Sequence, residues 1–531
     1  MKADIYLVCP PYGRPYGDGR RPIKHGGAPL GLACINGWLK SKGYATRIID
    51  LAFSEWTEAD LLEHIVAERP RFVGLAAVTT QIISAVRVAQ AIKQAAPEVV
   101  TVLGGPHPSA LPELTASYPG VDVVASGEGE LPLLELLQGR PFHEVGGLTW
   151  TDNGVIRTNP RLPLLNDLDA MPLPDYTGLD VDRYGCILHR DACDAPSLPI
   201  IGARGCPYRC TFCASRVVAQ GHCRFVSPAR LIEHIEDLVK RYGVRSFFFS
   251  DETFALRKSR VEEICDRMMT RGLKIKWACL TRVNTVDAQL LRTMKRAGCR
   301  LIETGIESGD QEILDRIGKG IDKAQVREAC KVITQSGIRL NGCFILGLPY
   351  DTPETCRRTI DFAKELPLDY AQFAMFVPLP GSAAWDTAME GKVLRMHAND
   401  WDDFSRYGYP LVESDALDRE QLHKLHRAAL REFYYHPRRV ARWLLGINSS
   451  RKLRNLLDMM FAFIQVAKAK RRSGNLVPMP CVAGDELGRL LGPLDGWTPP
   501  EMPDPPVEGE LPEERGVGQH PCKMASPVLA S

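Results

Sequence analysis

Between residues 1 and about 140, five short apolar runs recur with helix-like segments between them: Ile5 to Val8, Thr46 to Ile49, Phe72 to Ala76, Val99 to Leu103 and Val121 to Val124. Strands this short, separated each time by a helical pattern, predict a doubly wound parallel sheet with helices on its faces. Glycine or proline follows the strand ends, as in Cys9-Pro10-Pro11, Gly104-Gly105-Pro106-His107 and Ser126-Gly127-Glu128-Gly129. Ligands bind such sheets outside the carboxyl ends of the strands, where glycine lets backbone approach closely. The opening run follows Met1-Lys2-Ala3-Asp4 and ends in Cys9-Pro10-Pro11, which reads as a first strand and not as a signal peptide.

Residues 160 to 195 hold Pro160, Pro163, Pro172 and Pro174 without a sustained period, which predicts a linker. A second strand-helix series begins at Leu198-Pro199-Ile200-Ile201. It continues through Ser246 to Phe249, Lys276 to Leu280, Leu301 to Thr304, Leu340 to Leu346 and Tyr370 to Val377. Ser227 is placed to cap a helix with Pro228 first, and Leu231, Ile232, Ile235, Leu238 and Val239 share one face. Six units are too few for a closed eightfold barrel and predict a partial, open one. Residues 417 to 472 turn helical and basic, and the chain beyond Ser473 lacks periodic hydrophobicity, as disordered segments do. The expected divisions are a sheet domain at 1–150, a linker at 151–195, a barrel at 196–395, a helical region at 396–472 and a disordered tail at 473–531.

A length of 531 residues exceeds what one core fills, so several units are expected. The 66 basic against 64 acidic residues leave no global attraction to nucleic acid. No apolar stretch reaches the ~18 residues of a membrane span, since even Phe72 to Ile92 contains Thr79, Thr80, Gln81 and Arg87. The cytosol is the expected compartment. There, 16 cysteines do not form a disulfide scaffold, and single ones such as Cys34, Cys265, Cys330 and Cys356 read as small core residues.

One run differs. Gly205-Cys206-Pro207-Tyr208-Arg209-Cys210-Thr211-Phe212-Cys213 puts three thiols on a tight loop just after a predicted strand. Structural zinc takes four protein ligands, and normal finger spacing supplies no fourth, although Cys223 and His222 lie nearby. Three cysteines on an iron-sulfur cubane leave one iron open to an outside ligand, which implies chemistry.

Cys206, Cys210, Phe212 and Cys213 resemble the radical S-adenosylmethionine superfamily: cysteines spaced by three and then two residues, with an aromatic before the last. The resemblance implies a [4Fe-4S] cluster whose open iron is chelated by S-adenosylmethionine, cleaved after electron transfer to methionine and a 5′-deoxyadenosyl radical. Ser250-Asp251-Glu252-Thr253-Phe254 resembles the segment that meets the methionyl amine, with a solvated turn as the plainer reading of Asp251 and Glu252. Thr281-Arg282-Val283 and Gly305-Ile306-Glu307-Ser308-Gly309 resemble segments that meet the carboxylate and ribose, which brings in Arg282, Glu307 and Ser308. Arg282 reads equally as a surface ion-pair residue. Gly342 to Pro349 is similar to the strand near adenine, and Phe376-Val377-Pro378-Leu379-Pro380-Gly381 to the barrel exit.

A Rossmann-like sheet before such a domain, with Pro29-Leu30-Gly31-Leu32-Ala33, Gly104-Gly105-Pro106-His107-Pro108 and Gly127-Glu128-Gly129-Glu130, resembles the cobalamin-binding radical enzymes over residues 1 to about 440. This implies cobalamin between the sheet's carboxyl edge and the open barrel, with Gly104, Gly105, His107 and Gly127 on lining loops. The Asp-x-His-x-x-Gly motif of many cobalamin proteins is absent. His107 and His25 are the imidazoles near these loops, each an axial ligand or an ordinary hydrogen-bonded group. Methylthiotransferases need three further cluster cysteines, whereas this segment has Cys9 and Cys34.

The resemblance implies methylation of an unactivated carbon on a small-molecule, lipid or tetrapyrrole substrate, with an electron donor such as flavodoxin or ferredoxin. Oxidative ring formation or rearrangement, as in the anaerobic magnesium-protoporphyrin monomethyl ester cyclase, stays open, as does a cobalamin or redox sensor without turnover. Phe433-Tyr434-Tyr435-His436-Pro437-Arg438-Arg439 resembles a segment of relatives acting on lipids and tetrapyrroles. The basic helices around it suit either contact with an anionic membrane or a helical cap with solvated arginines.

Overall fold

The computed structural model describes residues 2–12, 26–185, 196–398, 400–437 and 439–441. Five strands, β1 (Ile5–Cys9), β2 (Thr46–Asp50), β3 (Phe72–Ala76), β4 (Val100–Gly104) and β5 (Val123–Ala125), form a parallel sheet in the order β2-β1-β3-β4-β5. Helices cover both faces, so β1, β3 and β5 are buried almost throughout and read as continuous apolar runs. The sheet runs on past residue 150. β6 (Leu148–Asp152) and β7 (Val155–Thr158) add an antiparallel hairpin beside β5. Its two-residue turn is Asn153-Gly154, both with positive φ, the pairing that matches the twist of a hairpin.

The second sheet is a six-stranded parallel array ordered β8-β11-β12-β13-β14-β15. Its strands are β8 (Leu198–Ile200), β11 (Ser246–Phe249), β12 (Lys276–Thr281), β13 (Cys299–Glu307), β14 (Arg339–Leu346) and β15 (Tyr370–Met375). It curves as a partial barrel, with the helix Pro228–Tyr242 and its successors outside. Ser227 caps that helix, its hydroxyl accepting from Arg230 N at 3.2 Å, and Gly243 ends it at φ 68°. Leu231, Ile232, Ile235 and Leu238 are buried along it. Two short strands, β9 (Ala203–Arg204) and β10 (Arg224–Phe225), pair antiparallel and close the base of the cysteine loop.

The linker is stitched to both halves. Asp175 receives Lys40 at 3.1 Å from the first half and Arg241 at 2.9 Å from the second, while Tyr184 donates to Asp50 at 2.8 Å. After the barrel, the helix Arg419–Tyr434 caps β15: Tyr434 donates to the Ala371 carbonyl at 2.6 Å, and Glu432 pairs with Arg357 and Lys364. Arg439 lies over the Phe433 ring at 3.6 Å and donates to the Leu368 carbonyl, which turns it onto the barrel. No described helix is long and apolar enough to cross a membrane. His25, the basic stretch from residue 442 to 472 and the tail from 473 lie outside the described residues.

Candidate cofactor site

The cysteine loop leaves β9 through Gly205, whose φ is 89° and where a Cβ would overlap the His222 carbonyl. Only glycine folds into this entry. Cys206, Cys210 and Cys213 follow, all half-buried. The Cys213 amide donates to the Cys210 carbonyl at 3.1 Å, and Thr211 N and Thr211 O bond to Ile317 and Ala384 at 3.0 and 2.9 Å, which pins the loop over the open end of the barrel. Burial pushes the Cys206 thiol up, with Thr253 at 3.9 Å pulling the other way. Among the described residues no three histidine, cysteine or carboxylate side chains close around a single ion. A cubane has no such requirement, since each thiolate binds its own iron.

Cations gather behind the loop. Arg282 donates to Cys210 Sγ at 3.7 Å and to the Lys319 carbonyl, stacks over Tyr208 at 3.7 Å, and keeps a buried Nε with no partner. Lys319 pairs with Glu307 at 2.7 Å, both nearly buried, and lies 6.0 Å from the Phe212 ring. Positive charge beside thiolates suits a cluster of negative ligands. Glu307 holds a φ of 69° at an irregularity in β13, and a Cβ on Gly305 would overlap its carboxylate. A strained non-glycine residue at a strand end is a common device of binding sites.

Asp251 is 1% exposed and supports the loop base: one oxygen accepts from Gly202 N at 2.6 Å, while the other has no partner. Burial raises its carboxyl to about 6, against the pull of Arg260. Burial raises Glu252 as well. Neither is a solvated turn residue. Ser308, next to Glu307 in the chain, is fully buried and shares a hydrogen bond with Thr359 at 3.1 Å on the helix Pro353–Glu365.

At the first sheet's carboxyl edge, Gly105 has φ 102° and Cβ space limited by the Ala77 carbonyl at 2.9 Å. Gly104 has the Ala125 carbonyl at 3.5 Å, and Gly127, at φ 91°, faces open space. Glycine is thus required at Gly105 by the chain's own packing, while Gly127 leaves room for a group to approach the backbone at this edge. His107 lies on the short helix Pro106–Ala110 that follows Gly105. It is 1% exposed, 3.3 Å from the Thr79 hydroxyl through Nδ1, and lies edge-on beneath Trp401 with ring centroids 4.6 Å apart. Burial lowers its pKa to about 3, and its Nε2 has no partner.

The two edges are locked together by residues that sequence reasoning passed over. Glu128 takes Arg224 at 2.6 Å and Arg204 at 3.1 Å, and Glu130 takes Arg204 at 2.6 Å. All four side chains are at most 12% exposed. Arg204 directly precedes Gly205-Cys206, so the clamp joins the Gly127 loop to the cysteine loop. Arg161 reinforces it, donating to the Val217 carbonyl at 2.7 Å and the Ser109 carbonyl at 2.5 Å. The available signal was two carboxylates in a glycine loop at a strand end, a costly arrangement when buried unless cations meet it.

Residues 200–363 match the family model of the radical SAM superfamily, and residues 20–137 that of the B12 binding domain. An uncharacterized methyltransferase of Pyrococcus horikoshii is 34% identical over 465 residues, covering 86% of this chain and 98% of its own. The anaerobic magnesium-protoporphyrin IX monomethyl ester cyclase of Rubrivivax gelatinosus is 30% identical over 421 residues, 77% of this chain and 74% of its own. Among solved structures, the cobalamin-dependent radical enzyme OxsB, with aqua-cobalamin and S-adenosylmethionine bound, superposes with a TM-score of 0.68 at 18% identity over 87% of this chain and 71% of its own. The radical methyltransferase TsrM of Kitasatospora setae gives 0.62 at 17% identity over 82% and 89%. These two bear on the fold. With both family models matched in order along one chain, the protein is an enzyme of the cobalamin-binding radical S-adenosylmethionine family, and its cofactors are a [4Fe-4S] cluster, S-adenosylmethionine and cobalamin.

Proposed function

We propose that the enzyme moves a methyl group onto an unactivated carbon, with Cys206, Cys210 and Cys213 holding the cluster and Gly104, Gly105 and Gly127 lining the cobalamin site. The observation that supports this reading is the Glu128–Arg204–Arg224 clamp, which ties the Gly127 loop to the strand leading into the cysteine loop. When bound, the cluster supplies the electron that cleaves S-adenosylmethionine, and cobalamin carries the methyl group. The chain's own residues orient and shield. Arg282 and Lys319 put positive charge behind the cluster loop, Glu307 is fixed by Lys319 at the barrel mouth, and Asp251 and Arg260 brace Gly202 at the loop base. Phe212 packs between the loop and the main core. An electron donor such as a flavodoxin or ferredoxin is required, and the cytosol, which keeps such thiols reduced, is the fitting compartment.

S-adenosylmethionine labelled in its methyl group tests the reaction. With a metabolite and lipid extract as the substrate source, the product should carry the label, with deoxyadenosine and S-adenosylhomocysteine formed beside it. The relative named as a cyclase favours a second reading, oxidative ring closure. That reading requires an unlabelled product that has lost hydrogens.

A further inference from the structure

Reduction adds one negative charge to an iron-sulfur cluster already held by thiolates. A fixed cation or an N–H donor at a ligand sulfur therefore favours the reduced state and raises the potential. Arginine suits such a position, because its guanidinium stays charged when buried and presents a rigid fork of donors.

Arg282 directly follows β12, and the Thr285 hydroxyl donates to its carbonyl at 2.8 Å, which fixes the backbone from which the side chain leaves. The residue is 6% exposed. Three contacts hold its guanidinium. Nη1 donates to Cys210 Sγ at 3.7 Å, Nη2 donates to the Lys319 carbonyl, and Cζ lies 3.7 Å from the centre of the Tyr208 ring. Tyr208 and Cys210 are two residues apart on one loop, so the loop meets the guanidinium on both a face and an edge.

Its counter-charge sets Arg282 apart from its neighbours. Arg224 has Glu128 at 2.6 Å and Lys319 has Glu307 at 2.7 Å, whereas no carboxylate of the described residues lies within ion-pair distance of Arg282. A buried cation left without a partner is costly. Cys210 is the group in contact with it that becomes an anion on binding iron. Sequence resemblance pointed Arg282 at the carboxylate of S-adenosylmethionine, but its hydrogen bonds go to the cysteine loop and to Lys319, and Nε has no partner.

We propose that Arg282 acts through Cys210 as a positioning residue that raises the reduction potential of the cluster. The inference rests on Cys210 being a cluster ligand. The step it governs is a one-electron reduction of the cluster by a reduced flavodoxin or ferredoxin, which is oxidised by one electron, with no bond made or broken.

An anaerobic redox titration of the corrinoid-loaded enzyme without S-adenosylmethionine, followed by the electron paramagnetic resonance of the reduced cluster, reads the potential without turnover. Arg282→Met should leave at least about tenfold less cluster reduced at a given potential, a downward shift of about 59 mV for a one-electron couple, at parental iron content. Arg282→Lys keeps a charge but loses the fork, and Tyr208→Leu releases the stacked face, so each should shift the potential the same way by less. Equilibrium dialysis should find S-adenosylmethionine bound within about twofold of the parent. An unmoved potential in Arg282→Met would overturn the proposal, and binding about tenfold weaker beside it would return Arg282 to the carboxylate. Should Arg282→Met hold no iron, Arg282→Lys and Tyr208→Leu decide, and unmoved potentials in both overturn the idea. Loss of iron from all three marks a structural contact and overturns it as well. A parent enzyme without a cluster would strike the ligand assignment and this proposal with it, whereas an unmoved potential strikes the proposal alone.

Discussion

Replacing Glu128 by Gln removes the carboxylate that Arg204 and Arg224 share. Arg204 keeps Glu130 at 2.6 Å, whereas Arg224, 6% exposed, keeps only the Leu165 carbonyl at 2.6 Å and loses its counter-charge. Breaking a buried pair by deleting one partner costs about 3–5 kcal/mol, chiefly because the surviving ion stays out of water uncompensated. The remaining acceptor and the neighbouring Glu130 put Glu128→Gln near the low end, about 3 kcal/mol, and Arg224→Leu close to it. The double variant leaves neither charge buried alone, so its cost should fall short of the sum by about 1–3 kcal/mol. Burial alone would push the Glu128 carboxyl up, but Arg224 and Arg204 together hold it below its ordinary value. A carboxyl lowered in the folded state contributes stability that is present above the unfolded value of about 4.3 and is lost as pH falls through the folded one. Urea unfolding of the anaerobic holoenzyme, followed by corrinoid absorbance and by tryptophan fluorescence, measures all four species at pH 7 and pH 4. Single variants within about 0.5 kcal/mol of the parent, or a double variant whose cost is the plain sum, would refute the reasoning.

Cys206→Ala, Cys210→Ala and Cys213→Ala should each abolish bound iron and deoxyadenosine formation, while Cys265→Ala, inside a buried helix face, keeps both; unchanged cleavage in the first three contradicts the ligand assignment. Gly205→Ala needs a side chain at φ 89° in space held by the His222 carbonyl, so iron incorporation should collapse; parental iron content would show that the loop entry relaxes freely. His107→Phe should retain corrinoid, since Trp401 covers the imidazole; corrinoid loss from a folded variant would mean that it reaches cobalt. Because burial lowers His107 to about 3, the unfolded chain binds a proton that the folded one refuses between that value and 6.5. Stability should therefore fall by as much as about 1.4 kcal/mol per pH unit on descending through that window, a slope that His107→Phe reduces.

What the residues alone determined was whatever depends on near neighbours. All five parallel strands of the first sheet and all six of the barrel stand where short apolar runs placed them, because a run of four to eight apolar residues bounded by glycine and proline has few other ways to be buried. The Ser227 cap and the cysteine loop were equally local. The Asn153-Gly154 hairpin was there to be read too, although the sheet domain was expected to end at 150, inside β6. Tertiary structure alone decided the rest. Glu128 meets Arg224 across 96 residues and Glu130 meets Arg204 across 74, contacts that exist only once two separately patterned domains dock. His107 was expected on a ligand loop, and Ser308 beside the ribose. What surrounds them was set by tertiary packing, since Trp401 lies against the imidazole and Thr359 of the helix Pro353–Glu365 meets the Ser308 hydroxyl, partners far off in the chain that no local pattern specifies.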